Sequence, residues 1–477
     1  MNWVLAATLV CGASVFTSCS NDNSDNAGSI EQAKKDRKEF VAHTRATLKD
    51  LAENLNFSSW DAANELNTHF NQYVLNNPGF EKAVLNAFMQ KVMTSVKPVE
   101  AGSELAAMGY QMYGTVDLTD FNYRFTMNAE GTGFNVEAAD DFEVILNAWN
   151  PTTQQVEAGL YRLTLKSGGS TTYKFEHAMS QQPGMALVVL IPSEFQFSIA
   201  DRLSGQWHDG FSGSFKNQVS VADGHEYAQL DRDTWTVAGT ITSDFAGVTA
   251  LGAKADQTTL DFSVVSDKVN NKGDVALSWS QNGRKMLDLA LKESGDGTGD
   301  IYRLDLSQFT SSSASILDVI APILTTRNLN EAKLTLLDDL TTTLSISNMA
   351  KALEVAREGA AARRSYADQA TIDQYTQQLN ELVSAKITCK GVNQEIPMRL
   401  ATTKLGVDWW TMPAFNFADE NGYVSFVDLL DSQSVAYGIN IIDHAAEPMQ
   451  QSAIVVRQLL QYVQGLVSGF QQSQPTE

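Results

Sequence analysis

The sequence predicts an α+β protein, because the periodicity of its apolar residues changes twice along the 477 residues. Helical spacing dominates residues 29–109, strand-like alternation dominates 110–310, and the two patterns mix in 311–477. We therefore expect an N-terminal helical layer, a large antiparallel β-domain and a C-terminal mixed α/β region that ends in a helix. The β-domain is expected to form either a sandwich or a long curved sheet.

The helical layer is predicted from three apolar stripes. The first stripe runs from Phe40 to Leu55 and follows a capping box formed by Ser29 and Gln32. The second and third helices are predicted over 58–73 and 80–92, and the motif Asn76-Asn77-Pro78-Gly79 separates them. Stripes of this kind are typical of a packed core.

The β-domain is predicted from short runs rich in Val, Thr, Tyr and Phe, separated by Gly, Asn and Pro. The predicted strands are 115–127, 134–149, 160–165, 172–175, 185–191, 195–199, 235–242 and 260–265. The glycine-containing segments 131–133 and 167–169 are predicted turns.

One hairpin can be predicted to the level of its register. Val275, Leu277 and Trp279 alternate before Asn282-Gly283, and Leu287, Leu289 and Leu291 alternate after it. A simple two-residue turn would place these two apolar sets on opposite faces of the hairpin. We therefore predict a three-residue loop or a bulge, because a shift of one residue inverts every side chain.

The C-terminal region begins after a predicted boundary at Ser311-Ser312-Ser313. Predicted helices cover 316–324, 350–364, 370–382 and 447–470. Predicted strands cover 387–388, 397–402, 408–417 and 423–429.

The first residues have the pattern of an export signal. An uncharged run from Trp3 to Phe16 leads into Ser18-Cys19, and a polar tether follows directly in residues 20–28. The run is shorter than the about 20 apolar residues that span a bilayer. Residues 1–19 resemble a bacterial lipoprotein signal peptide of the Bacteroidota type, although Phe16 stands where that family usually has leucine and no Lys or Arg precedes the run.

This resemblance implies that Cys19 carries acyl chains, so that the membrane becomes a partner through a lipid anchor. It also implies a location in the cell envelope at the outer membrane. In that family, acidic residues after the cysteine accompany export to the cell surface.

Composition restricts the remaining chemistry. The 34 Lys and Arg against 56 Asp and Glu give a net charge of −22, which argues against a nucleic-acid partner. Cys11 and Cys19 lie in the signal segment, so Cys389 has no intramolecular disulfide partner in the mature chain. Cys389 lies in an alternating segment, and we expect a core residue and not a nucleophile.

No catalytic or metal-binding motif is found, and neither a cofactor nor a metal is expected. His225-Glu226 lacks a second histidine four residues later, and the pairs Trp207-His208-Asp209 and Asp443-His444 place carboxylate and imidazole on adjacent residues. Asp140-Asp141 and Asp231-Arg232-Asp233 are predicted to lie in solvated turns, although such carboxylate pairs could also serve a glycosidase or bind calcium.

Tryptophans are the remaining candidates for ligand binding. Trp409, Trp410 and Trp207 could stack on sugar rings, although tryptophans more often belong to a core. The expected function is a non-catalytic binding or structural role towards a glycan, a peptide or an envelope protein. A hydrolase whose site forms only in the fold and a lipid-handling protein are the alternatives.

Overall fold

The computed structural model describes residues 27–55, 77–150, 153–179, 182–202, 205–229, 232–243, 257–295, 328–438 and 441. Outside them lie Cys19 with the signal segment, the tether up to residue 26, the boundary at 311–313 and the predicted helices at 58–73, 316–324 and 447–470.

The chain divides into two compact units. Unit I comprises Met1–Phe57 and Asn270–Gln450, and unit II comprises Ser58–Val269 and Gln451–Glu477. The described parts of both units combine helices with a mostly antiparallel set of strands, which confirms the α+β class.

Helix α1 (Ala27–Asn54) belongs to unit I and confirms the first predicted stripe. Phe40, Leu48 and Leu51 are buried, together with Thr44 of the same face. The predicted N-cap at Ser29 is wrong, because the helix already includes Ala27 and Ser29 lies inside its first turn.

The described part of unit II begins with helix α2 (Pro78–Ser95), where the side chain of Asn77 accepts a hydrogen bond from the Gly79 N–H at 2.9 Å. Proline suits the first turn that follows this cap because its missing N–H would be unpaired there. Strand β1 (Lys97–Pro98), helix α3 (Glu104–Ala107), strand β2 (Met112–Asp117) and a short 3-10 helix at Leu118–Asp120 follow.

The remaining strands of unit II form one hydrogen-bonded series in the order β4-β3-β5-β6-β7-β8-β9-β10. Only the β3–β5 and β2–β7 pairs are parallel among the described pairs, and β2 occupies the first half of one edge of β7. The strands are β3 (Tyr123–Met127), β4 (Phe134–Ala138), β5 (Phe142–Asn150), β6 (Gln155–Ala178), β7 (Met185–Asp201), β8 (His208–Ser220), β9 (Thr234–Ser243) and β10 (Thr258–Asp267).

Two strands of unit II are longer than predicted. The predicted turn at 167–169 is wrong, because these residues belong to β6 and the register against β7 shifts between Gly168 and Thr172. Pairing with β7 on both sides of the irregularity makes it a bulge within one strand. Strand β7 likewise continues through Pro192 where two strands were predicted.

The described part of unit I continues with eight antiparallel strands, each paired with the next. Strands β14 and β15 are also paired, although two helices separate them in sequence. The strands are β11 (Lys272–Gln281), β12 (Arg284–Ser294), β13 (Asn328–Leu336), β14 (Leu340–Ile346), β15 (Val383–Cys389), β16 (Ile396–Leu405), β17 (Asp408–Asn416) and β18 (Tyr423–Ser425). The helices are α4 (Met349–Arg364), α5 (Gln369–Asn380) and the short α6 (Phe426–Leu429).

The register predicted for the β11–β12 hairpin is confirmed. Trp279 pairs with Leu287 and Leu277 with Leu289, and the register shifts after Trp279 so that Ser280 pairs with Lys285. Met286 is the additional residue, and its side chain is buried. A predicted strand at 423–429 is wrong in its second half, since α6 begins at Phe426.

Two apolar clusters form the described core of unit I. Helix α1 contributes Phe40, whose ring centroid lies 5.0 Å from that of Phe415 and 5.3 Å from that of Phe417. Helix α4 contributes Met349 to the other cluster, which also contains Leu344. Among the residues that the structure describes, no helix has the length and apolar character needed to cross a bilayer.

Candidate functional site

A cleft of unit I lies where strands β15 and β16 separate. Their ladder joins only three residue pairs, from Ala385–Met398 to Ile387–Ile396. Beyond these pairs, the side chain of Asn380 at the end of α5 replaces a neighbouring strand. It donates to the Leu400 carbonyl and accepts from the Leu400 N–H, both at 2.9 Å, so the backbone of β16 remains paired beside the opening.

The cleft has a volume of about 650 Å³ and a mixed lining, in which Leu344, Ala385, Pro397 and Met398 lie among a larger number of polar side chains. Neutral polar groups come from β13, β14, α5 and β15: Asn330, Thr343, Ser345, Gln377, Asn380 and Ser384. The charged lining residues are Glu331, Glu381, Lys386, Glu395 and Arg399.

Most charges of the cleft have partners within the fold. Lys386 Nζ lies 2.6 Å from Glu395 Oε1, and Lys292 Nζ lies 2.7 Å from Glu331 Oε1. The hydrogen bond from Lys292 lowers the pKa of the Glu331 carboxyl. The Arg399 guanidinium lies 4.3 Å from the centroid of the Tyr423 ring. The cleft therefore presents a preorganised set of charges, amides and hydroxyls.

The two adjacent tryptophans lie on β17 outside the cleft lining. Both are half-buried, and consecutive strand residues direct their side chains to opposite faces. The Arg363 guanidinium lies 3.8 Å from the Trp410 ring centroid, and Lys404 Nζ lies 5.5 Å from that of Trp409. A cation therefore already contacts each indole.

Trp207, the third candidate, lies in unit II. Arg162 and Arg202 approach its ring centroid at 4.6 and 5.6 Å, and the side chain is half-buried. Its position places it in a different unit from the other two tryptophans.

The histidine–carboxylate contacts differ from the sequence-adjacent pairs. His208 Nδ1 lies 3.8 Å from Asp201, its partner across β7 and β8, and His225 Nδ1 lies 2.6 Å from Glu104 Oε1. These contacts follow from strand register and from α3, neither of which local spacing reveals.

The carboxylates considered for paired chemistry have structural partners. Asp141 lies 2.9 Å from Lys166 Nζ, and Asp233 is fully buried, in contrast to the solvated turn that was predicted.

Sequence reasoning missed a cluster in unit I formed by His43, Asp339 and Cys389. One candidate ligand atom from each lies within 4.8 Å of the other two. His43 Nδ1 lies 2.9 Å from Asp339 Oδ2, which also accepts a hydrogen bond from Thr47 Oγ1 at 3.3 Å.

The expectation that Cys389 is a core residue is confirmed, since it is 6 % exposed. Burial, followed by the charges of Asp339 and Glu39, raises the pKa of the Cys389 thiol to about 12. A nucleophilic cysteine requires a lowered pKa, so this environment does not favour a thiolate nucleophile.

Comparisons with known proteins give no relative for this chain: no family model, curated protein or solved structure matches it.

Proposed function

We propose that the protein is a lipid-anchored protein of the cell envelope that binds an oligosaccharide in the cleft of unit I. The segment ending at Cys19, which resembles a lipoprotein signal peptide, supports the anchor at the outer membrane. The acidic residues of the tether support exposure at the cell surface. The large net negative charge of the chain supports a body that faces water.

The observation that carries the binding proposal is the composition of the cleft. Its volume lies within the about 300–1,000 Å³ typical of ligand sites. Carboxylates accept hydrogen bonds from sugar hydroxyls, whereas side-chain amides and hydroxyls both donate and accept. The many hydrogen-bonding groups of this mixed lining suit a hydroxyl-rich ligand better than an acyl chain, which supports the glycan over lipid handling.

The finer architecture is part of the proposal. We infer one long curved sheet in each unit over a sandwich, which the continuous strand pairing within each unit supports. The sequence-defined segments 29–109, 110–310 and 311–477 remain our description of how the pattern changes along the chain.

The binding test uses the chain from Ser20 onward on an oligosaccharide array, with calorimetry on each oligosaccharide retained. Glu395→Gln should weaken binding at least about tenfold, because a hydrogen bond to a charged group contributes about 1.5–3 kcal/mol and about 1.4 kcal/mol corresponds to a factor of ten. Glu354→Gln is the matched control, since Glu354 is similarly exposed, pairs with Lys351 and lies outside the cleft.

Retention of peptides and not oligosaccharides would contradict the glycan and favour the peptide or partner protein. Cleavage of a retained oligosaccharide would favour the hydrolase, and extraction of acyl chains would favour the lipid-handling alternative.

The anchor is tested by metabolic labelling with a palmitate analogue. Cys19→Ala should abolish the label and release the protein from membranes, whereas Cys11→Ala, a change within the same segment, should preserve both. A labelled, membrane-bound Cys19→Ala variant would contradict lipid attachment at Cys19.

A further inference from the structure

His43, Asp339 and Cys389 converge from three separate elements of unit I. His43 lies on α1, Asp339 in the turn between β13 and β14, and Cys389 at the end of β15. We propose that these three side chains form a transition-metal site, with zinc as the ion that their donor atoms suit best.

The backbone around the cluster is tightly specified. Leu337 and Asp338 have φ angles of 51° and 53°, and the Asp339 N–H donates to the Leu336 carbonyl at 2.9 Å, closing a tight turn. Cys389 pairs directly with Leu340, the residue after Asp339. The turn and the strand end therefore hold the carboxylate and the thiol in a fixed relation.

Helix α1 brings the imidazole to this turn. Phe40 precedes His43 by about one helical turn and packs against Phe415 and Phe417. Farther along the same helix, Asp50 forms an ion pair with Arg284. Contacts on both sides of His43 thus fix the helix over the cluster.

The donor set is selective. Zinc binds thiolate sulfur, imidazole nitrogen and carboxylate oxygen at about 2.0–2.3 Å, whereas calcium and magnesium prefer oxygen alone. The side chains of His43 and Asp339 are 37 % and 16 % exposed, while Cys389 is buried. Three protein ligands at a partly open position correspond to a zinc site whose fourth ligand is water.

The Glu39 carboxylate and the other nitrogen of the imidazole face the same space. A Cβ placed on Gly391 would lie 3.3 Å from His43 Nε2 and 3.4 Å from Glu39 Oε2, so both atoms face the space beside this glycine. With Nδ1 bound to the metal, Nε2 carries the proton on the side of this carboxylate. A carboxylate beside the second nitrogen is the usual support of a metal-bound histidine.

Zinc binding changes no oxidation state, so it needs no redox partner. Zn²⁺ forms a bond to Sγ of Cys389 as the S–H bond breaks, and the thiol proton leaves to solvent. The hydrogen bond between His43 Nδ1 and Asp339 Oδ2 breaks as both atoms bind the ion instead. The site is independent of the proposed anchor and of the cleft, since none of its three ligands lines the cleft.

The test is a titration of the untagged chain from Ser20 onward with Co²⁺, followed by displacement with Zn²⁺. We expect one equivalent of Co²⁺ to produce a thiolate-to-cobalt charge-transfer band. Because Cys389 is the sole cysteine in this chain, such a band identifies the ligand without any variant. Zn²⁺ should abolish the band and raise the unfolding temperature.

Variants then test the other ligands. His43→Gln and Asp339→Asn should each weaken Co²⁺ binding at least tenfold, since each loses a ligand. His225→Gln removes a histidine that contacts a carboxylate in unit II, and it should leave the titration unchanged. Absence of the charge-transfer band in the folded wild-type chain, or equal loss of binding in His225→Gln, would overturn the proposal.

Discussion

At the scale of single residues, Asp233 of unit II is a carboxylate held by several hydrogen bonds. Its side chain is fully buried and accepts hydrogen bonds from the Ala222 and Gln229 N–H groups at 3.0 and 2.8 Å. Arg232 donates to both carboxylate oxygens. Burial opposes ionisation, but the hydrogen bonds outweigh it and lower the pKa of Asp233.

This network predicts a pH-dependent contribution to stability. Asp233→Asn should lower the free energy of unfolding by about 3 kcal/mol at pH 7. The new asparagine NH₂ would face an N–H donor that now bonds to a carboxylate oxygen, and Arg232 would lose its counter-charge. A lowered folded pKa gives stability that is present above the unfolded pKa of about 3.9 and is lost as the pH falls through the folded pKa. Urea unfolding at pH 7 and at lower pH should therefore show the difference shrinking.

The control is Asp120→Asn, which changes an exposed carboxylate paired with Lys91 and should alter the free energy of unfolding by less than about 0.5 kcal/mol. An Asp233→Asn penalty that stays constant into the acid range would contradict the ionised network.

A second residue-scale prediction concerns the contact of α2 with β2. A Cβ on Gly114 would lie 2.7 Å from Val92 Cγ1 and 3.0 Å from the Val92 carbonyl oxygen. Gly114→Ala should therefore destabilise unit II by about 1–3 kcal/mol. At Gly168 the nearest atom to a Cβ is 3.8 Å away, so Gly168→Ala should be neutral or slightly stabilising in the same denaturation assay.

At the scale of elements, α1 is stabilised by residues that are remote in sequence. Its ion pairs join Arg37 to Asp419 at 3.1 Å and Arg45 to Asp431 at 3.2 Å, and Phe40 supplies the apolar contact. The exposed pair of Arg45 and Asp431 contributes little to stability on its own. Packing of the apolar stripe therefore supplies most of the stabilisation of α1.

Phe40→Ala should consequently lower the free energy of unfolding of unit I by about 3–5 kcal/mol, because it leaves a cavity against Phe415 and Phe417. Ile30→Ala on the same helix is the control, since Ile30 is 39 % exposed. Chemical denaturation of both variants decides the matter, and equal effects would contradict a dominant role for Phe40.

At the scale of the whole molecule, the charge balance dominates solution behaviour. The net charge is −22, the isoelectric point is about 4.6, and no charged residue lies in Met1–Cys19. The chain from Ser20 should therefore remain dispersed without detergent at pH 7 and precipitate near its isoelectric point, where self-repulsion vanishes. Light scattering across this pH range provides the measurement, and aggregation of folded protein at pH 7 would indicate an apolar surface that the charge does not protect.

The elements that the sequence predicts well are those with strong local patterns. The β11–β12 register follows from alternation together with the short turn, because a shift of one residue from the Leu277–Leu289 pair would place the two apolar sets on opposite faces. Sequence patterns do not predict strand β8 because His208–Ser220 is rich in Ser and Gly, and pairing with β7 and β9 stabilises it from both sides. Strands β13 and β14 were also missed.

The candidate sites required the fold. Asp339 and Cys389 approach through the β13–β14 turn and the register of β14 against β15, and His43 lies on a helix near the beginning of the chain. No local spacing links these residues. The cleft depends on an early end to the β15–β16 ladder and on the Asn380 amide, and neither feature has a sequence signature.

The split of unit I into two stretches of chain determines an order of events on the ribosome. Helix α1 emerges first. Phe40 cannot contact Phe415 until the whole of Ser58–Val269 and the following chain up to Phe415 have been translated. The described apolar cluster of α2 and β2–β8 draws on one contiguous stretch and can condense earlier. Closure of such a distant contact is slow, so the apolar stripe of α1 waits for its contacts with Phe415 and Phe417 during that interval.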